Sequence, residues 1–366
     1  MDGDEEEFIR GTVEVHRMDG FEIGHRPVGP DAPTFVIAEA GSNHNGDLEL
    51  AKELIDVAVD AGADAVKFQT FRAGDIYVED SGDVAYLDDD RSIYEIIESM
   101  EMPYEWIPEL QEYCHEQGVQ FLSTPFDERS ARELEEYVPA WKVASYTSSH
   151  VPFLEFLAGT EKPIIMSTGA HALDEVAESV EVLQEAGVSD LVLLQCVAAY
   201  PTPLSDINVR VVKTLREEFG VPAGLSDHTL DPVTAPNAAV ALGASIVEKH
   251  FTLDNSMEGP DHEFALEPDE LDRMVSAVRA TETALGSAEK RVLDVEGELY
   301  EKARRAIHAV ADIEAGETFT EENVKVLRPG DRESGLHPKF YDEVIGKTAV
   351  SRVRKGDGIE WDNFES

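Results

Sequence analysis

Two lysines interrupt short apolar runs that read as buried strands: Lys67 in Ala65-Val-Lys-Phe-Gln69 and Lys142 in Ala140-Trp-Lys-Val-Ala144. An ammonium group in such a place needs a partner, because burying an unpaired charge is costly. One suitable partner is a bound phosphate or carboxylate, which makes the pair an anion site. The other is Glu39 or Glu248, which makes them salt-bridged core lysines. The hydroxyls of Thr124, Ser145, Ser167 and Ser226 stand at or just past the ends of similar runs and could complete an anion cradle. Ser and Thr also end strands for turn reasons. His228 and His250 close two further runs. On neighbouring strands, ~4.8 Å apart, two imidazoles can share one divalent metal. Glu248 is near in sequence, and water or substrate would fill the remaining positions. The alternative is two ordinary polar histidines. Glu39, Gln69 and Tyr200 also lie at run ends, and Gly259-Pro260 forces a turn that could aim Asp261 back among them. Cys196, flanked by apolar residues, reads as a core thiol.

The elements that must position these residues follow a rhythm. Apolar runs at 34–40, 65–69, 120–124, 140–144, 163–167, 191–195, 222–226 and 245–250 read as strands. Between them lie stretches of helical period, such as 48–61, 173–185 and 268–285. Gly62, Gly187 and Gly243 follow helical stretches as cap residues. Eight strands alternating with helices predict a (β/α)8 TIM barrel over 21–286, whose chemistry sits at the carboxyl ends of the strands. A doubly wound open sheet competes, but no GxGxxG is present. Residues 71–102 are the longest irregular stretch, acid-rich and expected on the active face. Residues 1–20 read as an acidic mobile tail and 287–301 as a linker. Residues 302–366 read as a small β-rich C-terminal domain, near the lower size limit for folding alone.

Composition narrows the function. The formal net charge is −46, which excludes nucleic acid and anionic lipid as partners. A hydrophobic fraction of 42% excludes disorder as the reason for the acidity. An acidic, Lys-poor surface suits a halophilic protein kept soluble at high salt. Two cysteines without metal or CxxC spacing predict no disulfide framework. The acidic start is unlike a signal peptide, and no apolar run reaches the ~20 residues of a membrane helix. A cytoplasmic location, with no membrane partner, is therefore expected.

Taken together the motifs resemble the sialic acid synthase family, which makes N-acetylneuraminic, legionaminic or pseudaminic acids. The matching stretches include Ile37-Ala-Glu-Ala-Gly-Ser-Asn-His-Asn-Gly46, Val66-Lys-Phe-Gln-Thr70, Ser92-Ile-Tyr-Glu95, Ser123-Thr-Pro-Phe126 and Lys142-Val-Ala-Ser145. They continue through Ser167-Thr-Gly169, Tyr200-Pro-Thr-Pro203, Gly224-Leu-Ser-Asp-His-Thr229, Glu248-Lys-His-Phe-Thr252 and Gly259-Pro-Asp-His262. Arg328-Pro-Gly330 and Arg354-Lys-Gly356 resemble the antifreeze-like (SAF) domain that follows the barrel in that family. The resemblance implies condensation of phosphoenolpyruvate with an N-acetylated aminosugar, giving phosphate and a nine-carbon 2-keto-3-deoxy acid. It implies that Lys67, Lys142, Thr124, Ser145, Ser167 and Ser226 hold phosphoenolpyruvate. Glu39, Gln69, Tyr200 and Asp261 would serve the sugar and the proton transfers. His228 and His250 would hold Mn2+ or Mg2+. It further implies a homodimer in which the SAF-like domain caps the partner barrel, bringing Arg328 to the sugar N-acyl group. The chain departs from the pattern at Val197-Ala198-Ala199, where some members have an amide, and at Arg304-Arg305. Both changes bear on which sugar is used. Two alternatives stand beside this reading: a phosphoenolpyruvate-dependent synthase acting on an aldose phosphate, and a non-catalytic sugar-binding barrel.

Overall fold

The computed structural model describes residues 20–79 and 91–365, so the acidic tail expected over 1–20 lies, but for Gly20, outside the described residues. These residues fall into two units that divide between Gly286 and Ser287. The first opens with an antiparallel hairpin, β1 (Phe21–Ile23) and β2 (Arg26–Val28). Eight strands follow: β3 (Phe35–Gly41), β4 (Ala65–Thr70), β5 (Gln120–Pro125), β6 (Trp141–Val143), β7 (Ile164–Ser167), β8 (Leu191–Cys196), β9 (Ala223–Asp227) and β10 (Ile246–His250). They form one sheet in the order β5-β4-β3-β10-β9-β8-β7-β6, and every recorded pairing is parallel. The end strands β5 and β6 lie beside each other, with no ladder between them among the described residues. The sheet is thus a nearly closed TIM-like barrel.

Side chains alternate in and out along each strand, and this alternation builds both the core and the active face. The inward apolar residues Ile37, Ala65, Leu122, Ala140, Ile165, Val192, Leu194 and Ile246 form one buried cluster with Phe35 and with Ile23 and Val28 of the hairpin. The hairpin therefore packs into the amino end of the barrel. Two residues further along six of these runs the same face turns polar. Ile37 is followed by Glu39, Ala65 by Lys67, Leu122 by Thr124, Ala140 by Lys142, Ile165 by Ser167 and Ile246 by Glu248. The outward residues pack against the surrounding helices in a second, larger cluster. The helix Pro268–Leu285 buries Leu271, Met274, Val275 and Val278 on one stripe, each worth roughly 1.5–3 kcal/mol. Its Arg279 donates to Asp64 Oδ2 at 2.7 Å. The same oxygen accepts the Val36 amide at 2.8 Å, tying the last barrel helix to the first strand. Gly62, Gly187 and Gly243 all adopt the left-handed backbone that ends a helix at low cost.

The 71–102 stretch is less irregular than expected. It contains the helices Ala73–Ile76 and Ile93–Ser99, the second opened by a reciprocal Ser92–Glu95 cap. Residues 80–90 lie outside the described residues. In the second unit, β11 (Ala306–Ala309) pairs antiparallel with β12 (Val324–Leu327). Isolated bridges such as Ile313–Val353 and Ala349–Phe364 extend this β framework. Its own core gathers Ile307, Ile313, Phe319, Val324, Val344, Val353 and Ile359. The expected linker is partly helical, with the helix Gly297–Lys302 at its end.

Candidate active site

The carboxyl ends of the barrel strands open into one cavity of about 670 Å3, within the ~300–1,000 Å3 of small-molecule sites. It is lined by Glu39, Lys67, Gln69, Thr124, Lys142, Ser145, Ser167, Tyr200, Ser226, His228, Glu248, His250 and Asp261. Of the residues expected from sequence, Arg328 alone is elsewhere, exposed just past β12 in the second unit.

Both readings of the lysines meet in this cavity. Lys67 Nζ lies 2.6 Å from Glu39 Oε2 and 3.9 Å from Glu248 Oε2, and donates to Thr124 Oγ1 at 3.0 Å. Lys142 Nζ donates to Ser167 Oγ at 2.8 Å and lies 3.5 Å from Glu248 Oε1. Ser226 donates to that oxygen at 3.1 Å, and Gln69 Nε2 donates to Glu39 Oε1 at 2.9 Å. Two ammonium groups thus face two carboxylates, and all four are buried. Burial pushes Glu39 up to about 7 against the pull of Lys67. Burial also lowers Lys142, opposed by Glu248. For Glu248, burial is outweighed by Lys142 and Lys67, which hold it below the ordinary carboxylate range. An incoming phosphate or carboxylate can take over the lysines, and the displaced carboxylates, Glu39 above all, can then accept protons.

Two imidazoles stand beside this cluster with ring centroids 5.5 Å apart. His228 Nδ1 is 2.9 Å from the Val197 carbonyl oxygen. A carbonyl only accepts, so Nδ1 carries a proton; burial would lower His228, but Cys196 and then the Val197 carbonyl outweigh it and hold the ring above the ordinary imidazole value, so Nε2 offers a lone pair only to a ligand that displaces its proton. His250 Nδ1 is buried without a hydrogen-bond partner, 3.7 Å from Asp261 Oδ2. Burial and then the nearby His228 and Lys67 hold His250 well below the ordinary imidazole value, so this ring is neutral. An orphaned imidazole nitrogen beside a second imidazole whose proton a metal can displace is a donor set that fits a divalent metal. The set is a pair and not a cage. No group of three or more His, Cys, Asp or Glu able to hold a metal occurs among the described residues, and Glu248 turns to the lysines. Tyr200 covers the pair, its ring 4.2 Å from that of His228.

Three features lay beyond the sequence reading. Cys196 is buried, as a core thiol should be, but it also lines the cavity, with Sγ 4.0 Å from His228 Nδ1. Burial raises its thiol, but His228, Ser145 and Lys142 outweigh burial and hold it below the ordinary value. Gly169 makes this corner possible, since a Cβ there would lie 2.8 Å from Ser145 Oγ. Behind the histidines, Lys249 Nζ meets Asp227 Oδ2 at 2.7 Å and also donates to the Thr229 carbonyl. This buried pair joins the carboxyl ends of β9 and β10, where His228 and His250 stand. Finally, Asn43 Nδ2 donates to the Phe251 carbonyl at 2.8 Å, and Asn45 Nδ2 to the Glu258 carbonyl at 2.9 Å. His262 Nε2 reaches Asn45 Oδ1 at 3.2 Å. These bonds stitch the loop after β3 to the one after β10 and hold Asp261 at the mouth. Burial raises Asp261 to about 6.

Comparison with known proteins places this geometry. The chain is 43% identical over 364 residues to the spore coat polysaccharide biosynthesis protein SpsE of Bacillus subtilis (strain 168), covering 95% of this chain and 98% of that protein. It is 40% identical over 342 residues to a pseudaminic acid synthase of Campylobacter jejuni, covering 92% and 98%. The solved N-acetylneuraminic acid synthetase of Leptospira borgpetersenii superposes with a TM-score of 0.69 at 31% identity, over 77% of this chain and 95% of that one. The NeuB family profile matches residues 54–290, across most of the barrel strands, and the SAF domain profile matches 304–365. With its barrel and its C-terminal unit each matched, and its relatives spanned almost end to end, this chain belongs to the NeuB family.

Proposed function

We propose that this protein condenses phosphoenolpyruvate with an N-acetylated aminosugar, either N-acetylmannosamine or a 2,4-diacetamido-trideoxyhexose. The products are a nine-carbon 2-keto-3-deoxy acid of the sialic acid kind and phosphate. The observation that carries this reading is one cavity holding two buried ammonium groups, Lys67 and Lys142, beside the paired imidazoles of His228 and His250.

The phosphate and carboxylate of phosphoenolpyruvate take the lysines, with donors from Thr124, Ser145, Ser167 and Ser226. This arrangement holds carbon 3 of phosphoenolpyruvate toward the open-chain aldehyde of the sugar. His228 and His250 would hold a divalent ion, Mn2+ or Mg2+, which when bound supplies Lewis-acid polarisation of that aldehyde. Carbon 3 bonds to the aldehyde carbon, and the aldehyde oxygen takes a proton from Asp261 or Glu39, whose raised values keep a proton available near neutrality. Water adds at carbon 2 of the former phosphoenolpyruvate, and the tetrahedral intermediate loses phosphate by C–O cleavage. Gln69 holds Glu39 in place, and Tyr200 shields the site from bulk water. In a homodimer, the SAF domain of one protomer would cap the other's barrel, and Arg328 would meet the sugar N-acyl group. Sedimentation as a monomer at micromolar concentration would sink that arrangement.

The test is phosphate release from phosphoenolpyruvate at high salt with Mn2+, with and without each sugar, and with EDTA. Sugar-dependent release that EDTA abolishes is expected. A folded protein that binds no phosphoenolpyruvate would overturn the reading and favour a non-catalytic barrel.

A further inference from the structure

We propose that His262 is the positioning residue for Asp261: braced between Thr252 and Asn45, it sets the place of the carboxylate that the condensation uses. This inference rests on the condensation reading above, in which Asp261 meets the sugar, and adds to it the group that holds Asp261.

The carboxylate of Asp261 does not hold itself. Among the described residues no hydrogen bond reaches its oxygens. His250 Nδ1 is 3.7 Å from Oδ2, beyond hydrogen-bonding range. Yet the space for the carboxylate is narrow. A Cβ on Gly41 would lie 2.9 Å from Asp261 Oδ2, 3.5 Å from Gln69 Nε2 and 3.6 Å from His250 Cε1. The missing side chain of Gly41 is the room into which Asp261 reaches. A side chain set in so narrow a place without a bond of its own takes its position from its backbone, and the next residue is the anchored one.

His262 and Thr252 are both buried. His262 Nδ1 lies 2.6 Å from Thr252 Oγ1, and Nε2 lies 3.2 Å from Asn45 Oδ1. Asn45 gives its amide nitrogen to the Glu258 carbonyl at 2.9 Å, so the atom facing His262 is the oxygen and Nε2 donates. Burial holds His262 below the ordinary imidazole value. The ring is neutral, and Nδ1 accepts from the Thr252 hydroxyl. The two ends of this brace belong to neighbouring strands. Thr252 follows β10, whose His250 pairs with Glu39 of β3, and Asn45 lies in the loop after β3. Gly259, at a φ of +146°, makes room for the contact, because a Cβ there would lie 2.7 Å from His262 Cδ2 and 3.2 Å from Asn45 Oδ1. Asn255 Nδ2 fixes the main chain as well, donating to the His262 carbonyl at 2.6 Å and to that of Ala265 at 2.8 Å. Ring and backbone of His262 are thus both held, one residue from the unbonded carboxylate. Thr252, Asn45 and His262 do not line the cavity, so they act through Asp261 and not on substrate.

The experiment is a double-mutant cycle on kcat, read as phosphate release with Mn2+ from phosphoenolpyruvate with N-acetylmannosamine or 2,4-diacetamido-2,4,6-trideoxymannose. Asp261→Asn should lower kcat ~100-fold or more, the effect of losing a proton-transferring group. His262→Ala should lower it ~10–100-fold, as misplacing such a group by about 1 Å does. KM for phosphoenolpyruvate, and Mn2+ affinity by electron paramagnetic resonance, should stay within about twofold. In the Asp261→Asn background the same His262→Ala change should cost less than about twofold, because residues that act as a unit do not add. His262→Gln, which keeps a donor for Asn45, should recover most of the lost rate. Asn45→Ala, at the exposed end of the brace, is the second variant and should repeat the pattern. Equal losses from His262→Ala in both backgrounds, a folded His262→Ala or Asp261→Asn protein with wild-type kcat, or a parallel loss of Mn2+ affinity overturns this inference and leaves the condensation standing. Absence of release from the wild type with both sugars overturns the condensation reading and this inference with it.

Discussion

Glu39 shows how much of this site depends on exchanging one partner for another. Lys67 binds it tightly, yet burial keeps its value near 7. A carboxyl raised from 4.5 binds more protons in the folded than in the unfolded protein between roughly pH 4 and 7. Its contribution to stability is full below that window and is lost as pH rises through it. Thermal midpoints of metal-free wild type and Glu39→Gln, compared across pH 4–8, should therefore diverge. The wild type should lose up to roughly 3 kcal/mol relative to the variant, and parallel curves would contradict this. Lys142→Met removes one ammonium from the anion cradle and leaves Glu248 short of a partner. Loss of a buried charge partner costs ~2–5 kcal/mol, so kcat/KM for phosphoenolpyruvate should fall at least ~30-fold, mostly through KM in steady-state assays. The lysines were legible because they break apolar runs. Cys196 was read as buried, which it is, but its place on the cavity was missed because apolar neighbours flank a core residue and an inward-facing one alike. Counting by twos from Val192 and Leu194 places it on the cavity face. The Asn45–His262 bond spans 217 residues of sequence, and no local pattern announces it.

At the scale of elements, the eight barrel strands were legible to within a residue or two at each end. Parallel strands covered on both faces leave continuous apolar runs, and those runs survive the polar residues at their carboxyl ends. The helices Ala73–Ile76 and Ile93–Ser99 were not read, being four and seven residues long, too short to show a period. The cap pair Ser92 and Glu95 was the available signal. The Lys249–Asp227 pair belongs to this scale because it links two strands rather than touching the cavity. Buried pairs add little net stability when intact, but removing one partner costs ~3–5 kcal/mol. Lys249→Met should lower the urea midpoint accordingly, and it should also weaken Mn2+ binding measured by electron paramagnetic resonance. A loss of stability with unchanged Mn2+ affinity would mean that the pair holds the strands without aligning the histidines.

The whole molecule carries two separate cores, one in the barrel and one in the C-terminal unit around Ile307, Phe319 and Ile359. The change from helical period to turn-rich sequence after Gly286 made that division readable. A 42% hydrophobic fraction pointed to a folded core despite the acidity, and the described residues have two. Among the described residues no helix is long and apolar enough to cross a membrane.

The burial of Lys67 and Lys142 has one more consequence, and it concerns how substrate arrives. Most enzymes that take anions present a positive face and bind faster in dilute buffer. This molecule has a net charge of −46, and its cavity lining carries Asp75, Asp127 and Glu128 as well as the buried Lys67 and Lys142. Its long-range field repels phosphoenolpyruvate, and attraction begins only within the cavity. Since the Debye length shrinks from ~10 Å at 0.1 M to ~3 Å at 1 M, added salt removes the repulsion before it reaches the buried lysines. Stopped-flow association of phosphoenolpyruvate should therefore speed up several-fold as KCl rises over that range, the reverse of ordinary steering. A rate that falls with salt would place positive charge at the entrance. Concentrated salt is then the medium in which phosphoenolpyruvate reaches this cavity fastest.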